Sequence, residues 1–354
     1  MKSWAVTQAG QALEEIEIPS PSAPIGTEVV LDVSHCGVCH SDVHFWEGFL
    51  NVGDKKIPLE AIGMHTPYTL GHEIVGKVAA IGPDVKDMKI GDIRLVYPWI
   101  GCGECSDCAR EDDNLCSSMQ SLGMRATGGF ARQVSVPHQK YLVDIGDLDP
   151  ALAATYACSG LTVYSAIQKL MPLAKDDPVV LIGAGGLGLN AISVLKAQGH
   201  ENIVVLDVSE QNRQSAIDMG ASAVADNSKE DILDTLPKIA NGSIKSIIDM
   251  VNSADTASLA FNALAKGGKL VQVGLFGGTL TIPLSLMPSR VISIIGNLVG
   301  NPQELRDLIT LARSGKISPI PISCKPRSAV SDALSDLRDG KVKGRIVLDS
   351  ALSD

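Results

Sequence analysis

Residues 179–199 read VVLIGAGGLGLNAISVLKAQG. Four aliphatic residues lead into Gly183, Gly185 and Gly188, and a helical run follows. A G-x-G-x-x-G alone is a weak signal, since glycines are common in turns; an apolar strand before it and a helix after it give it meaning. The first glycine permits a tight turn, the second lets the backbone approach a pyrophosphate, and the third lets helix and strand pack closely. The helix N-terminus then offers free N–H groups and a partial positive charge to phosphate. The next apolar run, NIVVLDV, carries Asp207 near its end. An acidic side chain there accepts hydrogen bonds from the adenosine ribose and repels a 2′-phosphate, which selects NAD over NADP. Arg213 works against that selection, because a displaced arginine can accommodate a 2′-phosphate.

The same alternation runs outward from this segment. SAVAD, SIIDMV, GKLVQVGL and VISIIG are short apolar strands, and EQNRQSAIDMG and TASLAFNALAKGG are helical stretches between such strands. Apolar strands of this length alternating with helices imply βαβ units and a parallel sheet. The expected fold class is therefore α/β, with a doubly wound, parallel six-stranded Rossmann domain over residues 155–295. Before it, TEVVLDVSH, EIVGKVAAIG, DIRLVYPW and ARQVSVPH are β-like runs separated by Gly, Pro and Asp. They predict a mainly antiparallel β domain over residues 1–154. Residues 296–354 hold two amphipathic helices, PQELRDLITLARSG and SAVSDALSDLRDG, and a last strand, KGRIVLD. This tail is expected to pack back on the N-terminal region.

The 354 residues suit about two domains. A hydrophobic fraction of 45% with only 4% aromatics predicts large aliphatic cores. The net charge of −10 and the absence of a basic patch argue against nucleic acid and anionic membrane as partners. Residues 1–20 lack a signal-peptide core, and no apolar run is long enough to span a bilayer. All 8 cysteines can be placed without disulfides, which suits a reducing compartment, and the expected location is the cytoplasm.

Cys102, Cys105, Cys108 and Cys116 form C-x2-C-x2-C-x7-C within GCGECSDCAREDDNLC. Short multi-cysteine spacings read as a metal site in an intracellular chain, and four thiolates close a tetrahedral zinc. A closed site leaves no position for substrate, so this motif staples a lobe over residues 99–117. Cys39, His72 and Cys158 have the identities of an open zinc site, with two thiolates, one imidazole and a free fourth position. Asp42 is a candidate to hydrogen-bond the His72 ring and fix its tautomer, and Glu73 to modulate the charge of the metal. From spacing alone that site is only moderately specific, because the three ligands lie far apart.

Together these residues resemble the zinc-containing alcohol dehydrogenases of the medium-chain dehydrogenase/reductase superfamily, over essentially the whole length. GHEIVGKVAAIGPDV, residues 71–85, looks like the zinc signature of that family; CGVCHSDVH looks like its first ligand segment and the four-cysteine lobe like its structural zinc loop. The resemblance implies a GroES-like fold for the N-terminal domain. It implies that Cys39, His72 and Cys158 hold the catalytic zinc, giving two zinc ions per chain. Ser41 then bonds the alcohol hydroxyl, and His44 is the outer end of a proton relay through the nicotinamide ribose. His40 and Arg345 lie near the coenzyme pyrophosphate. The coenzyme set also takes in Gly186, Leu187 and Val273. Homotetramers or homodimers are the rule in such relatives.

Two features depart from the family pattern. The stretch from His44 to His72 is long, so an extra loop should border the pocket, with Phe45, Trp46 and Trp99 lining an apolar substrate cleft. Where relatives often carry lysine after the acidic residue, this chain has Asn212. The leading expectation is a zinc-dependent enzyme that moves hydride between NAD and a primary or secondary alcohol with an apolar body. The alternatives are a polyol dehydrogenase, which Cys158 disfavours because those relatives tend to carry glutamate there, and a cinnamyl-type reductase, which Asp207 disfavours. A non-catalytic nucleotide-binding member of the superfamily is the reading from another class.

Overall fold

The computed structural model describes residues 1–352. All six expected strands of the nucleotide-binding region form one parallel sheet: β1 (Val179–Ile182), β2 (Ile203–Leu206), β3 (Ala223–Ala225), β4 (Ser246–Asp249), β5 (Lys269–Gln272) and β6 (Ser293–Gly296). Their spatial order is 3-2-1-4-5-6. Every β1 side chain is buried, as a sheet covered on both faces requires. The order reverses between β1 and β4, which opens a crevice at the carboxyl ends of the strands. Helix α1 (Gly186–Ala197) starts at the glycine turn, and α2 (Glu210–Asp218) follows β2. Helices Leu161–Leu170 and Ile232–Ile239 are additions to the sequence expectation; the second contains Pro237, which masks its periodicity.

The second sheet is mainly antiparallel and centres on strand Val29–Val38. That strand pairs with Glu73–Ile81, with Gln133–Val136 and with Arg345–Asp349. The last pairing brings the C-terminal tail back to the N-terminal sheet, as expected, and strand Ile322–Pro326 lies parallel beside it. This matters for the site, because Arg345 is thereby carried to the seam between the two sheets.

The long link after His44 is folded rather than loose. It forms a hairpin, Phe49–Val52 with Lys55–Pro58, and a 3-10 turn, Leu59–Ile62. Asn51 donates its side-chain amide to the Phe276 carbonyl at 3.0 Å, and the Gly278 N–H reaches the Gly53 carbonyl at 3.3 Å. The hairpin tip thus bridges to the segment after β5. The cysteine lobe is bounded by paired strands Trp99–Ile100 and Gln120–Ser121, with helix Ser106–Ala109 and turn Asp113–Leu115 between them. Among the described residues no helix is long and apolar enough to cross a membrane.

Candidate active site

Helix His40–Glu47 begins directly after Cys39, which is its N-cap. Asp42, at the third position of the helix, reaches back to the Cys39 N–H at 2.9 Å. Its other oxygen accepts from the Gly71 N–H at 3.1 Å and faces His72 Nδ1 at 3.2 Å. A single buried carboxylate therefore fixes the first two candidate ligands against each other. Cys158 arrives from a π-helical turn, Tyr156–Gly160, a local bulge often found at functional sites.

The three ligand atoms of Cys39, His72 and Cys158 lie within 4.8 Å of one another, and the two sulfurs are 4.0 Å apart. Zinc–sulfur bonds of ~2.3 Å in tetrahedral geometry put sulfurs roughly 3.8 Å apart. With Nδ1 turned to Asp42, His72 Nε2 is buried and has no protein partner. Buried polar atoms rarely stay unpaired without a reason such as an ion. The donor set, spacing and orphaned nitrogen all fit zinc. Burial works against charge on His72, but Asp42 and Cys39 outweigh it and raise the imidazole pKa. The contact with Cys158 draws the Cys39 thiol well below its usual range, and the same contact, with burial, holds Cys158 well above it.

Glu73 is buried behind the ligands and ion-pairs with Arg345. Burial pushes its carboxyl up to about 7 even with Arg345 opposing the shift. Its other oxygen accepts from the Ser159 N–H at 3.1 Å, beside Cys158. Arg345 packs its stem on Gly186, so that a Cβ at Gly186 would collide with it. Arg345 therefore joins the metal cluster to the glycine turn. Ser41 Oγ lies 3.9 Å from Cys39 Sγ. His44 is half-buried, and His40, with its ring 6.5 Å from that of His44, is exposed.

The glycine turn has the geometry its sequence predicts. Gly183 takes a φ of +98°, and a Cβ at Gly188 would collide with the Gly183 carbonyl. Gly185 is exposed and faces open space, the room a pyrophosphate needs; Leu187 beside it is half-buried. Asp207 accepts from the Ala184 N–H at 2.7 Å and the Ser209 N–H at 2.8 Å. Asn212 donates to both of its carboxylate oxygens at 3.3 Å. Arg213 turns to the Asp207 carbonyl at 2.7 Å and lies 3.7 Å from Asp226. Val273 is at the carboxyl end of β5, its N–H bonded to the Asp249 carbonyl at 2.9 Å. These features fit a dinucleotide with an unphosphorylated ribose.

The four lobe cysteines also have their sulfurs within 4.8 Å of one another, which fits a second, closed zinc. Trp99 packs its ring 5.4 Å from that of His72 and donates to the Ala157 carbonyl at 3.2 Å. Phe45 lines a cavity of about 250 Å³ with Ile62, Met64, Met119 and Met124, and with Cys116, Ser117, Ser121 and Arg125. The methionines and Ile62 escaped the sequence reading, because nothing in their spacing brings the segments together. Trp46 corrects the expectation. Its indole N–H bonds the Gln11 carbonyl and Arg338 stacks over its ring, so it packs helix His40–Glu47 against the C-terminal helix rather than lining the cleft. Cys36 is buried, and burial pushes its thiol well above the usual range.

An open metal site joined to a dinucleotide crevice is the arrangement of a metal-dependent oxidoreductase. Residues 26–147 match the family model of the alcohol dehydrogenase GroES-like domain, and residues 186–314 that of the zinc-binding dehydrogenases. The chain is 36% identical over 350 residues to an NAD-dependent alcohol dehydrogenase of Sulfurisphaera tokodaii, covering 98% of this chain and 99% of that one. To a protein of the same description from Saccharolobus solfataricus it is 37% identical over 355 residues, with 98% and 99% covered. The crystal structure of the alcohol dehydrogenase from Aeropyrum pernix superposes with a TM-score of 0.89 at 28% identity, covering 99% of this chain and 100% of that one. The chain belongs to the zinc-binding alcohol dehydrogenase family.

Proposed function

We propose that this chain oxidises a primary or secondary alcohol with an apolar body to the aldehyde or ketone, reducing NAD⁺. The observation that carries this reading is His72 Nε2, buried and unpartnered beside Cys39 and Cys158, one ion pair away from the glycine turn. Held by Cys39, His72 and Cys158, a zinc ion supplies Lewis acidity to an alcohol hydroxyl, and NAD⁺ bound at Gly183, Gly185 and Gly188 supplies the hydride acceptor. Asp42 keeps the His72 proton on Nδ1, which leaves Nε2 free as a ligand.

Ser41 Oγ would accept the hydroxyl proton as it gives up its own toward the nicotinamide ribose, and His44, one turn along the same helix, would be the outer end of that relay. Trp99 shields His72 from water. Phe45 and the methionine-lined cavity take the apolar body; methionine is flexible enough to fit varied shapes. Arg345 neutralises Glu73 and lends its charge to the coenzyme side. The four lobe thiolates would hold a second zinc with no open coordination position for substrate. Asp207 favours NAD, with Arg213 engaged away from the ribose.

The chain divides functionally into residues 1–154, 155–295 and 296–354. It works in the cytoplasm as a homotetramer or homodimer. Support for assembly comes from strand β6, an unpaired sheet edge flanked by exposed Leu284 and Val291. The test is NADH formation across short, long, cyclic, benzylic and polyol alcohols, with and without a zinc chelator. Chelator-sensitive turnover of an apolar class is expected. A polyol preference, or turnover indifferent to chelation, would overturn it.

A further inference from the structure

The turn that follows β6 is strained and is held from the side of the cysteine lobe. Val299 is buried and has a φ of +44°, a left-handed conformation that a β-branched residue adopts only when its surroundings impose it. Three successive carbonyls of this turn meet side-chain donors. Asn114 Nδ2 donates to Leu298 O at 2.8 Å, Asn297 Nδ2 to Val299 O at 3.1 Å, and Tyr97 Oη to Gly300 O at 2.8 Å. Asn297 also donates to the Thr162 carbonyl at 3.1 Å, close after Cys158. Two ties lie farther out, from Asn301 to Asp112 at 3.2 Å and from Arg306 to Glu111 at 2.9 Å.

Asn114 belongs to the turn between Cys108 and Cys116, so the lobe itself supplies the first of these donors. It is buried and its Oδ1 has no partner. A half-satisfied buried amide is a costly way to gain stability alone. The position of the turn gives the bond another use. Asp207 at the end of β2 assigns the β1–β3 half to the adenosine, which leaves the β4–β6 half to the nicotinamide nucleotide. Residues 298–300 lie at the carboxyl end of β6, in that half.

We propose that Asn114 is a positioning residue, through which the four-cysteine lobe holds the 298–300 turn and sets how tightly the coenzyme binds. The proposal rests on the NAD reading given above. Asn114→Leu keeps the approximate shape and removes the donor. NADH affinity measured by fluorescence should weaken about tenfold, and KM for NAD⁺ should rise with it. KM for the alcohol and the zinc content should stay as in the wild type. Asn114→Asp, which keeps the shape and exchanges the amide donor for a carboxylate oxygen, should move NADH affinity in the same direction and decides the matter if Asn114→Leu does not fold. Unchanged NADH affinity in a folded variant, with only a lower Tm, would make the bond a structural tie and overturn the proposal. Wild-type protein that fails to bind NADH would instead overturn the coenzyme reading itself, and this proposal with it.

Discussion

Asp42 illustrates how a single buried side chain decides the metal site. Its carboxylate accepts from Cys39 and Gly71 and faces His72, so Asp42→Ala strands two amides and frees the imidazole. Affinity for the metal held by Cys39, His72 and Cys158 is expected to fall roughly 10- to 100-fold, read by competition with a chelator. Ser41→Ala should leave zinc content and NADH affinity intact while turnover drops roughly 10²-fold or more; full turnover would remove Ser41 from the relay. The four lobe cysteines were legible because four thiols within one short loop are rare chemistry, whereas Cys39, His72 and Cys158, far apart in the chain, were legible chiefly through the family resemblance. Trp46 was not. Sequence gives the kind of side chain but not its direction, and this indole points to Gln11 and Arg338 instead of the cleft. The sequence likewise offered Arg345 as a pyrophosphate neighbour but was silent on its pairing with Glu73, which depends on the tail returning to the first sheet.

Among elements, the glycine turn and its flanking strands were readable throughout, since a period of apolar runs between helices admits few other folds. The close packing at Gly188 follows from the same motif. Gly188→Ala must move the start of α1 away from β1, a change expected to cost about 1–3 kcal/mol and to weaken NADH binding; thermal unfolding and NADH titration of the variant check both. The hairpin at residues 49–58 was expected only as an extra loop. Its strands are short, and Asn51 and Gly53 meet the segment after β5, a contact no local pattern announces. Helix Ile232–Ile239 was hidden by Pro237, and strand Ile322–Pro326 by a proline and its edge position.

At the scale of the whole molecule, the metal-site half and the nucleotide-binding half are tied at several places, among them Arg345 packed against Gly186, the hairpin tip at Phe276, and the lobe at Leu298. The metal cluster and the coenzyme crevice are therefore parts of one construction, and loss of the open-site metal should cost turnover without dissolving the fold. The most direct measurement is zinc content together with turnover and NADH binding in wild type and Cys39→Ser. Wild type should hold about two zinc ions per chain. The variant should keep the lobe zinc, lose the other, bind NADH and turn over no alcohol. A variant that retains both zinc ions, or still oxidises alcohol, would contradict the assignment of Cys39, His72 and Cys158 as the catalytic metal site.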